Sequence, residues 1–100
     1  MKASIKLLEK GFNSFQAGDY SKAEKLCRQA LVIDPENTDG LNLLSIIANQ
    51  SGNTAEAINF LEKAVKINTQ DADLFNNLGQ LNKDVGQLKD AIKSSFVISG

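Results

Sequence analysis

The stretch Gly18-Asp19-Tyr20-Ser21-Lys22-Ala23-Glu24 decides the fold, because parts of it return at a fixed interval. Its glycine recurs every 34 residues, at Gly18, Gly52 and Gly86. Its alanine recurs at the same interval, at Ala23, Ala57 and Ala91. Further residues share this register: Leu7, Leu41 and Phe75, Ala30 and Ala64, Ile33 and Ile67. A period of this length indicates an internal repeat whose units stack side by side as a solenoid.

The apolar residues within each unit follow helical spacing. Leu41, Leu44 and Ala48 lie at i, i+3 and i+7, which is one face of a helix. Glycine is favoured just beyond a helix end, so the three periodic glycines are predicted to be turns between helices. The Asp34-Pro35 pair ends another helix, because proline disfavours helical geometry in the residue before it. The predicted helices span about residues 4–17, 21–34, 38–51, 55–68, 72–85 and 89–99.

Polar residues near the predicted helix starts indicate how the helices begin. Ser21 and Glu24 have the spacing of a capping box, and Asn37 and Asp71 are predicted to cap the helices that follow them. Because the loops are short, consecutive helices are expected to pack antiparallel. The periodic alanines allow a close approach where these helices cross.

Composition and charge exclude several classes of function. Eleven basic and twelve acidic residues give a net charge of −1, without the basic excess expected for nucleic-acid binding or for docking on an anionic membrane. Histidine is absent and Cys27, expected to be a buried hydrophobe, is the only cysteine, so we expect neither an enzyme nor a metal or cofactor. The charged N-terminal residues do not form a secretory signal, which predicts a cytoplasmic location.

These motifs resemble the tetratricopeptide repeat (TPR) family, whose unit is also 34 residues long. The closest match is Gly18–Glu24, and Leu78-Gly79 matches the family's Leu-Gly pair in the third unit. The resemblance implies an all-α, right-handed α-solenoid of three helix-turn-helix hairpins with six antiparallel helices. It covers nearly the whole chain, as a single domain over residues 1–100 with repeats at about 4–37, 38–71 and 72–100, the last of them incomplete.

In this family the first helix of each unit lines a concave wall. By position in the repeat, the resemblance implies these peptide-binding residues: Ile5, Leu8, Phe12, Phe15, Asn42, Ile46, Asn49, Asn76, Asn77, Gln80 and Lys83. In the first unit this wall is an apolar stripe, which either forms a pocket for a partner or is buried in the core. In the next two units it is rich in carboxamides, which either pair with a peptide backbone or are simply solvated.

The resemblance therefore implies a non-catalytic protein–protein interaction module that binds a peptide or partner protein in the concave groove. A clamp for a carboxylate tail, which some members carry, is not expected, because the matching positions hold Leu8, Phe12, Leu43, Asp73 and Asn77. One alternative is the N-terminal, substrate-recruiting segment of a larger enzyme such as a transferase, since the third unit is incomplete. Another is self-association as a homodimer through residues 89–100, where Phe96, Val97 and Ile98 have no capping helix after them.

Overall fold

The computed structural model describes the backbone of residues 2–99 and the side chains of residues 3–86. Within these residues it contains five helices and no strand: α1 (Lys2–Gln16), α2 (Tyr20–Ile33), α3 (Thr38–Gln50), α4 (Thr54–Ile67) and α5 (Ala72–Ser99). Along the chain each helix packs against the next, and α1 also contacts α3. The predicted all-α class is confirmed.

Two of the three periodic glycines form the predicted turns. Gly18 and Gly52 have φ angles of 85° and 87°, in the left-handed region that glycine adopts without strain. After Gly18, the Asp19 N–H donates to the Ser14 carbonyl at 2.9 Å, and the equivalent bond after Gly52 is 2.8 Å long. These bonds satisfy carbonyl groups that the helix end would otherwise leave unpaired. The turns join α1 to α2 and α3 to α4 as hairpins.

The third periodic glycine, Gly86, lies inside α5, which runs for 28 residues without a turn. The predicted sixth helix and third hairpin are therefore not confirmed. Local capping provides a reason, because Asp19 and Asn53 follow the first two glycines and are favoured residues before a helix start, whereas Gln87 is not. Continuing the helix keeps its hydrogen bonds at a cost of about 1 kcal/mol for the glycine.

The start of α2 differs from the predicted capping box. Asp19 caps this helix, since its side chain accepts a hydrogen bond from the Lys22 N–H at 3.1 Å. Ser21 already lies within the first turn of the helix, so the predicted capping box of Ser21 and Glu24 is wrong. The end of α2 agrees with the sequence, because the helix stops at Ile33, directly before the Asp34-Pro35 pair.

The predicted caps of the later helices are confirmed. Asn37 Oδ1 accepts a hydrogen bond from the Gly40 N–H at 3.0 Å at the start of α3. Asp71 Oδ1 accepts one from the Asp73 N–H, also at 3.0 Å, at the start of α5. Each bond pairs a backbone donor that the first turn of a helix cannot satisfy internally.

Small residues lie where the helices of each hairpin cross. Ala23 and Ala57 are completely buried, as predicted. At the crossing of α1 and α2, a Cβ atom added to Gly11 would lie 3.2 Å from the Sγ atom of Cys27. Cys27 is itself fully buried, as predicted, and burial raises the pKa of its thiol to about 11. The predicted roles of Ala91, Phe96, Val97 and Ile98 concern side chains outside the described ones.

Candidate functional site

The first helices of the successive units, α1, α3 and the beginning of α5, form one face of the molecule. Two depressions lie on this face, one between α1 and α3 and one between α3 and α5. Ile46 on α3 lines both of them, so the depressions are adjacent parts of one surface. We call this surface the groove.

The first depression has a volume of about 300 Å³ and is mainly apolar. It is lined by Leu8, Phe12, Asp39, Asn42, Leu43 and Ile46. The Phe12 ring is 49% exposed in this depression. An aromatic ring exposed beside other apolar side chains is typical of a contact site.

The apolar stripe of α1 is divided by the structure between groove and core. Phe12 and Ile5 are about half exposed, whereas Phe15 is partly buried and packs against the second helix and the core. The centroids of the Phe15 and Tyr20 rings are 5.2 Å apart, at a tilted angle. Of the two interpretations left open by the sequence, burial therefore describes Phe15 and exposure describes Phe12.

The second depression has a volume of about 200 Å³ and a different chemistry. Its floor contains Ser45, Leu61 and Leu81, which are buried. Its remaining lining residues are Ile46, Asn49, Gln50, Asn77, Gln80 and Asp84. Four of these six residues carry a carboxamide, so this part of the groove presents both hydrogen-bond donors and acceptors.

A hydrogen bond between two predicted site residues joins the depressions. The Asn77 Nδ2–H donates to Asn42 Oδ1 at 3.0 Å, from α5 to α3. A carboxamide has two donor hydrogens and an acceptor oxygen, so Asn42 keeps both of its N–H donors and Asn77 keeps its carbonyl acceptor for other partners. The pair therefore offers a donor and an acceptor side by side, which matches the groups of a peptide backbone.

Two other polar side chains of the second depression are held by local hydrogen bonds. Thr54 Oγ1 donates to Asn49 Oδ1 at 3.0 Å, and Gln80 Nε2 donates to Asp84 Oδ1 at 3.0 Å. Both bonds involve exposed side chains, so each contributes little to folding stability. Their effect in the groove is to favour particular orientations of these polar groups.

Most of the predicted site residues lie together in the groove. Leu8, Phe12, Asn42, Ile46, Asn49, Asn77 and Gln80 line one of the two depressions or both. Ile5, Phe15, Asn76 and Lys83 line neither of them. The predicted set also omitted lining residues, namely Asp39, Leu43, Ser45, Gln50, Leu61, Leu81 and Asp84. Of these, Asp39, Gln50 and Asp84 occupy wall positions of the repeat, where the resemblance to the family already places them.

The charge of the groove comes from carboxylates. Asp39 lies in the first depression and Asp84 in the second, and no basic side chain lines either one. Across the part of the chain that the structure describes, no group of three or more His, Cys, Asp or Glu side chains could hold a metal ion. No helix among residues 2–99 has the length and apolar character that a membrane crossing requires.

The fold and the groove define a helical-repeat protein with two stacked hairpins and a lined inner surface. The profile of the tetratricopeptide repeat family matches residues 14–81, more than half of the chain. The chain therefore belongs to the tetratricopeptide repeat family.

Individual relatives agree with this assignment. The chain is 40% identical over 86 residues to the UDP-N-acetylglucosamine–peptide N-acetylglucosaminyltransferase of Caenorhabditis elegans, an alignment that covers 86% of the chain. Among solved structures, an O-GlcNAc transferase mutant from Thermobaculum terrenum is similar with a TM-score of 0.81, at 29% identity over 93% of the chain. The first TPR of Spaghetti (RPAP3), bound to the HSP90 peptide SRMEEVD, also has a TM-score of 0.81, at 22% identity over 92% of the chain.

The chain is much shorter than the transferases it matches. It spans 8% of the length of the Caenorhabditis elegans relative and 18% of the Thermobaculum terrenum chain. It spans 73% of the Spaghetti repeat domain. The similarity to the transferases is therefore a similarity to part of each protein.

Proposed function

We propose that this chain is a non-catalytic protein–protein interaction module that binds a peptide or an extended segment of a partner protein in the groove. The observation that carries the proposal is the exposed Phe12 ring in an apolar depression of about 300 Å³. Beside it, the Asn42–Asn77 pair supplies hydrogen-bonding groups for a peptide backbone. An apolar anchor site next to a few polar groups is the usual composition of a recognition site.

Similar proteins support a peptide as the ligand. The first TPR of Spaghetti, which shares the fold, is bound to an HSP90 peptide. The Caenorhabditis elegans relative, which is 40% identical to the chain, is named as a transferase that acts on a peptide. We expect the partner to be a protein or peptide and not a nucleic acid or a membrane, because the net charge is only −1. We also propose a cytoplasmic location, where a free thiol such as that of Cys27 stays reduced.

The structure offers a matched pair of substitutions to test this proposal. Phe12 and Phe75 are 49% and 46% exposed, but only Phe12 lines either of the two depressions. Peptides selected by display on the immobilised chain are measured for binding by fluorescence anisotropy with the wild type, Phe12→Ala and Phe75→Ala. We expect Phe12→Ala to weaken binding by about three- to tenfold, because only about half of the ring is exposed and covering that half contributes about 0.75–1.5 kcal/mol. Phe75→Ala is expected to bind like the wild type.

Far-UV circular dichroism of both variants separates binding from folding. If Phe12→Ala retains its helical signal and still binds the selected peptides normally, the groove is not the binding site. The triple substitution of Phe12, Asn76 and Asn77 extends the test to the polar part of the wall. It is expected to reduce binding further if the carboxamides contact the peptide backbone.

A second candidate function is supported by the relatives. The chain matches part of two sugar transferases, so it could form the N-terminal, substrate-recruiting segment of a larger enzyme. In that setting the groove would bind the protein substrate and chemistry would take place elsewhere. The full open reading frame decides this point, since a catalytic domain encoded after residue 100 supports it and a stop codon there excludes it.

A third candidate is self-association through residues 89–100. We also propose that the repeats span about residues 4–37, 38–71 and 72–100 and that the solenoid is right-handed. A third hairpin in the last repeat would need residues 89–99 to fold back. Sedimentation velocity over a range of concentrations tests self-association directly. A monomer at every concentration removes this candidate.

A further inference from the structure

We propose that the groove selects a segment in which a bulky apolar side chain is accompanied by basic residues, and that it discriminates against acidic segments. This inference rests on the proposed function, because it names the chemical class of the ligand of the same groove. It combines two observations, the apolar depression around Phe12 and the sign of the charge in both depressions.

The first observation defines the anchor. Leu8, Phe12 and Ile46 surround the first depression, and Leu43 beneath them is buried. The apolar surface of these residues is removed from water only when an apolar group enters. Burial of this kind is the largest favourable term for a ligand side chain in such a site. A leucine or phenylalanine of the partner is therefore the expected anchor.

The second observation concerns the two carboxylates. Asp39 lies in the first depression with the anchor site, and Asp84 lies in the second. The two ion pairs found among the described side chains both belong to Arg28 on α2, so neither groove carboxylate is neutralised by such a pair. Asp84 accepts a hydrogen bond from Gln80, but this bond carries no positive charge. A ligand that buries the two carboxylates without a positive charge would therefore remove them from water without a compensating ion pair.

The distance between neighbouring helices determines where the basic residues should lie along the bound peptide. Packed helices are separated by about 8–10 Å, and an extended chain advances about 3.3 Å per residue. A residue about three positions from the anchor therefore reaches the neighbouring depression. Since Asp39 shares the depression with the anchor site, a basic residue at one or two positions from the anchor is close enough to interact with it.

Three synthetic peptides test the inference. Each has a central phenylalanine in a serine–alanine background, with lysine, glutamine or glutamate placed two and three residues away on both sides. The symmetric placement makes the result independent of the direction in which the peptide binds. Dissociation constants are measured by fluorescence anisotropy at about 20 mM and about 500 mM salt.

We expect the lysine peptide to bind about tenfold more tightly than the glutamate peptide at the lower salt concentration, with the glutamine peptide between them. Unit charges about 6 Å apart in water interact by about 0.7 kcal/mol, and replacing lysine by glutamate reverses the sign, so one such contact already produces a preference of about tenfold. At the higher salt concentration the ratio should fall below about threefold, because screening then acts over about 4–5 Å.

Variants of the protein test whether the preference for basic peptides comes from the two carboxylates. The double variant Asp39→Asn and Asp84→Asn preserves the size of both side chains and should bring the lysine and glutamate peptides to within about twofold of one another. The control is the double variant Glu36→Gln and Glu62→Gln, which changes the net charge equally at exposed positions that line neither depression. The control should keep the tenfold preference.

The possible results separate the two proposals. Equal binding of the three peptides, with binding still weakened in Phe12→Ala, would overturn the charge preference and leave the proposed function in place. A preference that survives in the double aspartate variant would also overturn it. If none of the three peptides binds while display-selected peptides still do, the anchor and charge preference is rejected and the proposed function stands. If the display-selected peptides also fail to bind, both proposals are rejected.

Discussion

Alanine substitutions at Gly52, Gly79 and Gly86 distinguish a helix interior from a turn by the sign of the change in unfolding free energy. Gly52 is a turn with a φ of 87°, Gly79 is inside a helix in both the sequence prediction and the structure, and Gly86 is a turn in the prediction but helical in the structure. A Cβ atom added at any of the three meets no other atom within 4 Å. Steric clashes therefore do not contribute, and backbone conformation alone decides the sign.

The expected changes in free energy follow from the helical propensity and the φ angle. Within a helix, alanine is more favourable than glycine by about 1 kcal/mol, so Gly79→Ala and Gly86→Ala should each stabilise the protein by about that amount. At Gly52, alanine must adopt the left-handed conformation, which costs about 1–2 kcal/mol and is offset in part by reduced freedom of the unfolded chain. We expect Gly52→Ala to destabilise the protein by about 1 kcal/mol.

The assays are urea unfolding and thermal unfolding, both followed by far-UV circular dichroism. For a domain of this size, about 1 kcal/mol corresponds to a change of about 4–8 °C in Tm, which is readily measured. Gly86→Ala should also increase the helical signal at low denaturant, because it strengthens α5 where the sequence contains its second glycine. Gly79→Ala provides the reference for a helix interior and Gly52→Ala the reference for a turn.

One result would refute the account of α5. If Gly86→Ala destabilises the protein like Gly52→Ala while Gly79→Ala stabilises it, Gly86 has a positive φ in solution. Residues 72–99 then form two helices, as the repeat pattern predicts. The explanation based on the missing cap at Gln87 would be wrong as well.

Two further predictions concern a helix cap and the buried thiol. Asn37→Ala removes the acceptor of the Gly40 N–H and should lower the free energy of unfolding by about 1 kcal/mol. Asn53 makes no such side-chain bond, so Asn53→Ala should lower the free energy of unfolding by less. Urea titrations of both variants test this difference. Cys27 should react slowly with a thiol reagent in the native state and rapidly in urea. The folded pKa of its thiol is about 11, above the ordinary value of 9.0. Its contribution to the free energy of unfolding should therefore be present below pH 9 and decline as the pH rises from about 9 to 11. Stability of Cys27→Ala that declines as steeply as the wild type's over this range would contradict the second prediction.

The sequence was sufficient for the elements whose signals are local. Gly18 and Gly52 adopt a left-handed turn, Asp34-Pro35 stops α2, and Asn37 caps the start of α3. Each of these features acts within a few residues. The fold class and four of the helix boundaries follow from such signals. At Gly86 the period predicted a turn, but the adjacent Gln87 is not a residue type favoured before a helix start, unlike the Asp19 and Asn53 that follow the other two glycines.

The candidate site was predictable in part, because the resemblance to the tetratricopeptide repeat family implies which side chains line the inner wall. Phe12 and Asn42 both line the groove, but the sequence could not separate Phe12 from Phe15, three residues away on the same stripe. Phe15 is partly buried because it contacts Tyr20 across the turn, which is a consequence of how the hairpin closes. Such a contact depends on the packing of two helices and not on the spacing along one.

By itself the sequence determined the repeat length and the helical class, since both depend on periodicity. The wall positions came from the resemblance to the tetratricopeptide repeat family. Only the tertiary structure decided that Asn77 bonds to Asn42, because these residues are 35 positions apart and meet only when α5 lies beside α3. It likewise decided that Leu61 and Leu81 form the floor of a depression. Contacts between helices and the depth of a groove depend on how the helices pack, and the spacing of residues along one helix does not determine that packing.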